Sequence, residues 1–194
     1  MSKPREARPP LRVKIATEPF EFEQIYALNH RTFAEEIPRY AAVPTRRLVD
    51  RFHDQNTYVI GLQDRRLAGM VAIRDTRPFS LDERLPDLES YLPAGRSMCE
   101  LRLLAVEPRD RRGRLLPALL ASVWRHCATH GYDLALISGI TRQRKLYEHL
   151  GFVPFGPLVG TPGAQFQPMM VTLERFAPLA AVLFGPDDYA RSVE

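Results

Sequence analysis

Between Cys99 and Leu120 the chain reads CELRLLAVEPRDRRGRLLPALL, a carboxylate in an apolar run followed by a cluster of guanidinium groups. Glu100 and Arg102 are the only charged residues from Cys99 to Val106, so the run suits a strand covered on both faces. Desolvation disfavours an ionised carboxylate in such a strand and moves it towards use as a general base. The competing reading is a structural ion pair with Arg102, because residues two apart on a strand share a face. Arg109-Asp110-Arg111-Arg112-Gly113-Arg114 follows as a basic turn with one glycine for the bend. It opens into Leu115, Leu116, Leu119, Leu120, Val123, Trp124 and Cys127, spaced as the apolar stripe of a helix, with Pro117 in its first turn. A strand, a basic turn and a helix N-terminus together aim N–H groups, the positive end of a dipole and arginine forks at one point. The turn is therefore either a polyanion site or a solvated arginine loop.

The flanking elements must hold this stretch in place. Residues 1–10, with three prolines and basic side chains, read as a flexible tail, and 11–194 as one domain. Leu11 to Ala16 alternates as a half-exposed strand with Leu11, Val13 and Ile15 inward. Thr17 caps a helix whose buried face carries Phe22, Ile25, Tyr26, Asn29 and Phe33. Asn29 is either a satisfied core hydrogen-bonder or a residue facing a ligand cleft. A second helix is expected from Thr45 with Leu48, Val49 and Phe52 inward. Tyr58–Leu62 and Leu67–Arg74 read as a hairpin, with Gly69 allowing a close approach. Ser80 and Glu83 form a capping box for a short helix bearing Leu81, Leu85 and Leu88, beside the cleft. Leu134–Ile137 is a buried strand parallel to the central one, completing a βαβ unit. Arg142–Leu150 is a short helix stopped by Gly151, Phe152 and Phe155 start a strand, and Gln165–Glu174 closes the sheet. Leu179–Phe184 packs back as a helix. The class is α/β (α+β): a mixed, twisted sheet of about six or seven strands flanked by helices.

Composition narrows the partners. The chain has 194 residues, 45% of them hydrophobic, and a net charge of +4, enough for a full core and for anionic ligands. The arginines are spread along the chain without interleaved aromatics, which speaks against nucleic acid. The N-terminus lacks the apolar core of a secretory signal, no run approaches membrane-spanning length, and Cys99 and Cys127 read as buried reduced thiols. A cytoplasmic protein with no membrane partner is expected. The five histidines have no metal-ligand spacing and read mostly as exposed, so no metal is expected, and no serine or cysteine nucleophile motif is visible.

Glu100-Leu101-Arg102-Leu103-Leu104-Ala105-Val106, the turn 111–116, and Tyr147-Glu148-His149-Leu150-Gly151-Phe152 together resemble the GNAT superfamily of acyl-CoA-dependent N-acyltransferases, from about Leu11 to Glu174. Aligned on its helix, Arg111 takes the first position of the phosphate loop, but Arg114 and Leu116 stand at its glycine positions. Ile140 stands where an asparagine often precedes the tyrosine. A second resemblance, nested in the first, is to the acyl-homoserine-lactone and N-acyl-amino-acid synthases. It is carried by Asn29 to Glu36, Phe52-His53-Asp54 and Thr76 to Phe79, with departures at Asn29, where that group has arginine, and at Arg102, two rather than three residues after Glu100.

These resemblances imply a GNAT-like fold and direct acyl transfer from a thioester to an amine. Glu100 would be the base and Tyr147 the acid that protonates the leaving thiolate, a phenol of pKa about 10 facing a thiol of about 8.5. A backbone N–H near Leu104, freed by a bulge or splay, would hold the oxyanion. The donor would lie along Leu104, Ala105 and Val106, with its phosphates on Arg111, Arg112, Gly113, Arg114, Leu115 and Leu116. Asn29, Phe33, Arg102 and Phe166 would face the acceptor or acyl group. The favoured reading is transfer of an acetyl or other short acyl group from acetyl-CoA or another acyl-CoA to a small-molecule or peptide amine. The alternatives are a long-chain synthase using acyl carrier protein and a non-catalytic acyl-CoA sensor. A monomer and a homodimer are equally open.

Overall fold

The computed structural model describes residues 10–37, 39–161 and 164–184. The expected tail falls almost wholly outside them. Eight strands form one sheet in the order β1 (Leu11–Ile15), β2 (Asn56–Gln63), β3 (Arg66–Arg74), β4 (Met98–Val106), β5 (Leu134–Ile140), β8 (Ala164–Thr172) and β6 (Val153–Pro154), with β7 (Val159–Thr161) also paired to β8. The count exceeds the expected six or seven because β6 and β7 are two and three residues long. Only β4 and β5 run parallel, joined by the crossover helix α2 (Leu115–Thr129).

Both faces of the sheet are covered, as the apolar runs of its central strands require. One face packs on α2 and on α4 (Leu173–Phe184) through Leu119, Val123, Trp124 and Phe176. The other carries α1 (Pro19–His30) through Ile25 and Leu28, and a non-helical crossover through Phe79, Leu81 and Leu85. The start of α1 is held by Glu21, whose carboxylate accepts the N–H groups of Thr17 and Glu18 and pairs with Lys14 at 2.7 Å. That bond network, rather than Thr17's hydroxyl, caps the helix. Ile15, expected inward, is 45% exposed at the end of an edge strand.

Two features open a gap in the sheet's centre. First, β4 and β5 pair only over Met98–Glu100 with Leu134–Leu136, although both strands continue well beyond. Second, Met70 faces Ala105 but Ala72 faces Arg102, so Leu103 and Leu104 together oppose the single residue Val71. Leu103 takes φ of 54°, a bulge that adds twist and leaves the extra residue unpaired. The seam is tight beside it: a Cβ on Gly69 would come within 2.9 Å of the Ala105 carbonyl oxygen, so that position needs glycine.

Two expected helices are absent. Residues 45–52 are irregular, with Arg46 at positive φ, because Leu48 N–H binds the Tyr26 carbonyl and Asp50 turns inward to an ion pair. Ser80 caps no helix. Its hydroxyl is drawn instead to a carboxylate twenty residues later, and the neighbouring Phe79 N–H is taken by Asp82 at 2.6 Å.

Candidate active site

A cleft of about 290 Å³ passes through the gap between β4 and β5. Glu100, Ser80, Arg102, Arg39 and Phe166 line it on the side of α1, and Leu101, Leu104, Leu116, Leu120 and Phe152 on the side of α2. One mouth is therefore polar and charged, while the other side is hydrocarbon. A second, wholly apolar cavity of about 30 Å³ lies behind, sharing Leu101, Leu120 and Phe152 as walls and closed by Trp124 and Phe176.

Glu100 is fully buried, and its two carboxylate oxygens accept from the Ser80 N–H at 2.7 Å and the Ser80 hydroxyl at 2.6 Å. Arg102 approaches it at 3.5 Å but gives its fork to Asp50, at 2.7 and 3.1 Å. Asp50 also accepts from Asn56 at 2.7 Å. The guanidiniums of Arg102 and Arg74 both stack on Phe52, at 4.7 and 3.9 Å from its centre. Arg74 is itself buried and donates to the Pro78 carbonyl and to Gln55. A carboxylate oxygen has room for two acceptances, so Glu100 keeps capacity towards the cleft that it lines.

Tyr147 sits on α3 (Arg144–His149) with its ring against β5, a contact possible because residue 139 is glycine: a Cβ there would lie 2.9 Å from the ring. Its hydroxyl donates to Gln143 at 3.1 Å. Burial pushes the phenol pKa up, with a backbone hydrogen bond at Ile140 opposing, so it stays protonated through neutral pH. At the basic turn, Arg111 donates to the Val106 carbonyl at 3.1 Å and to Glu36 at 2.5 Å, bridging the turn to the end of α1. Arg112, Gly113 and Arg114 are exposed, and no atom comes closer than 3.8 Å to a Cβ built on Gly113. The turn leaves room for an anion at the start of α2.

The cleft thus brings together Glu100, Arg102, Leu104, Ala105, Val106, Arg111, Leu116, Tyr147, Phe33 and Phe166. Arg112, Gly113 and Arg114 lie outside its walls, and Leu115 is core, buried under the β2–β3 hairpin. Asn29 is also outside, fully buried and donating to the Leu48 carbonyl at 3.4 Å, a core position rather than a cleft wall. His30, expected at the surface, is buried and accepts from Val43 N–H. Sequence reasoning passed over Asp50, Arg39 and Arg74, all charged residues whose partners are remote in sequence.

Residues 24–174 match the model of the FeeM family, N-acyl amino acid synthase. The chain belongs to this family. It is accordingly an acyltransferase, and the resemblance nested inside the broader one is the principal one. The CoA-dependent acyl-homoserine lactone synthase BjaI, solved with SAM and isopentyl-CoA, is 24% identical, with a TM-score of 0.70 over 88% of this chain and 90% of that one. FeeM itself, from uncultured soil microbes, is 17% identical, with a TM-score of 0.69 over 90% and 98%. A Lactobacillus plantarum protein assigned as an N-acetyltransferase is 17% identical, with a TM-score of 0.62 over 84% and 98%. These likenesses show a common GNAT-like fold. No curated protein matches the chain.

Membership also explains one apparent departure. Arg102 follows Glu100 by two residues, yet the bulge at Leu103 keeps both Arg102 and Glu100 on the acceptor side, where Asp50 can chelate the guanidinium.

Proposed function

We propose that this protein moves a long acyl chain from a thioester to the amino group of a small acceptor, as an N-acyl amino acid synthase does. The carrying observation is the division of one cleft: a buried carboxylate and cations on one side of the sheet, and on the other a hydrocarbon corridor that shares three walls with a further apolar cavity. An acetyl group would leave that corridor empty, whereas each buried CH₂ of a longer chain contributes about 0.8 kcal/mol. The short-chain reading therefore yields to the long-chain one.

The acceptor amine reaches Glu100, which takes its proton directly or through water, while Ser80 and Arg102 fix the carboxylate's position. The neutral nitrogen attacks the thioester carbonyl lying along β4. The bulge at Leu103–Leu104 offers a backbone N–H to the oxyanion, and Tyr147 returns a proton to the departing thiolate. The phosphate of the donor's arm meets Arg112, Arg114 and the start of α2. The donor is an acyl-CoA or an acylated carrier protein.

The test is a thiol-release assay with long-chain acyl-CoA and acyl carrier protein donors against a panel of amino acids, with mass detection of the N-acyl product. Glu100→Gln should lower kcat/KM by roughly 100-fold or more, the range of a lost general base. A folded protein that releases no thiol with any donor and acceptor would refute the reading.

A further inference from the structure

Two buried polar atoms in the cleft wall lack a hydrogen-bond partner: Arg39 Nε and Ser138 Oγ. Arg39 follows α1, where its N–H and that of Tyr40 both donate to the Phe33 carbonyl at 3.0 Å, so its backbone is fixed. Its guanidinium lies 4.5 Å from the centre of the Phe166 ring. Arg84, from the crossover that also carries Ser80, lies 5.6 Å from the same ring. Among the described residues neither arginine is in an ion pair, whereas Arg102 is neutralised by Asp50 and Arg111 by Glu36. Two like charges on one aromatic face repel, and a cleft that holds them has net positive charge beside its carboxylate.

We infer that Arg39 and Arg84, set on Phe166, hold a carboxylate of the acceptor, so that the enzyme selects amines carrying an acid group next to the nitrogen. This rests on the acyl-transfer reading above. Glu100 and Arg102 are among the charges that act on Arg39, which puts its guanidinium close to where the amine must lose its proton. In an α-amino acid the amine and carboxylate are two bonds from a shared carbon or nearer, so their two anchors must be neighbours. A guanidinium fork fits a carboxylate with two parallel hydrogen bonds, and the ring beneath keeps the fork flat and partly dry. Burial, then the nearby Arg84 and Arg102 charges, press the Arg39 pKa down, and an incoming anion relieves that pressure.

The test compares each accepted amino acid with its amide and its decarboxylated amine in the wild type, Arg39→Gln, Arg39→Lys and Arg84→Gln. The wild type should prefer the acid by roughly tenfold to a hundredfold, the worth of one charge-assisted contact. Arg39→Gln should collapse that preference towards one by raising the acceptor KM, with the donor KM unchanged. Arg39→Lys should restore part of it, and Arg84→Gln should lower it less. Equal use of acid and amide by the wild type overturns the inference, as does a change in donor KM alone, which would assign the arginines to a donor phosphate. If no acceptor is acylated at all, the acyl-transfer reading fails. Calorimetric binding of the amino acids then decides the inference separately: binding lost in Arg39→Gln supports it, and binding unchanged overturns it.

Discussion

Asp50→Asn separates the structural and the chemical roles of the buried ion pair. The Arg102 and Asp50 side chains are only 6% and 4% exposed, and their bidentate bond is what occupies the Arg102 fork. Removing one partner of a buried pair costs about 3 to 5 kcal/mol, because the other charge is left uncompensated. Asparagine keeps one acceptor oxygen, which favours the lower end, about 3 kcal/mol. For a chain of this length each kcal/mol moves Tm by roughly 2 to 4 °C, so a fall of roughly 6 to 12 °C is expected in a thermal melt. The released Arg102 then has Glu100, at 3.5 Å, as its nearest carboxylate. Pairing there competes with the acceptor amine, and kcat/KM should fall at least about tenfold, equivalent to about 1.4 kcal/mol of barrier. The double variant Asp50→Leu with Arg102→Met replaces both charges with hydrocarbon and should regain most of the stability without the activity. An unchanged Tm in Asp50→Asn, or wild-type kcat/KM in the double variant, would refute this account of the pair.

Tyr147→Phe should lower kcat while leaving donor affinity nearly intact, since the ring stays on Gly139 and only the hydroxyl is lost. In the wild type, kcat should decline only as pH rises through the phenol's raised pKa, above its ordinary value of about 10, and the variant should lack that limb; a limb that persists removes Tyr147 from the proton transfer. Gly69→Ala forces a Cβ to 2.9 Å from the Ala105 oxygen and should destabilise by about 1 to 3 kcal/mol in a denaturant titration, with no loss if the β3–β4 seam relaxes freely.

The central unit was legible because its signals were local and agreed with one another. The apolar run of β4, the basic turn and the stripe of α2 each imply their neighbour, and the hairpin of β2 and β3 follows from two β-rich runs and a four-residue polar turn. Residues 45–52 misled because Pro44-Thr45 and the spacing of Leu48, Val49 and Phe52 are good helix signals. A long-range bond, Asp50 to Arg102, overrides them. Ser80 shows the same conflict: its local pattern is a cap, but a buried carboxylate offers its hydroxyl a stronger partner. Arg39, Arg74 and Asp50 escaped notice for a related reason, since charged residues are exposed by default and only the folded chain reveals which ones meet a counter-charge or a cleft. The donor preference was misjudged from single positions. Asn29 proved a core residue, and the chain-length question turns on the gap between β4 and β5, which no one residue type announces.

The most direct test of the account is kcat/KM across a series of donors from C2 to C14, as CoA and as acyl carrier protein thioesters, with a fixed amino acid acceptor. The corridor through the sheet predicts a steep rise with chain length, at about 0.8 kcal/mol per CH₂ until the apolar walls closed by Trp124 and Phe176 are reached, then a fall. A maximum at C2, with a decline for every longer chain, would contradict it.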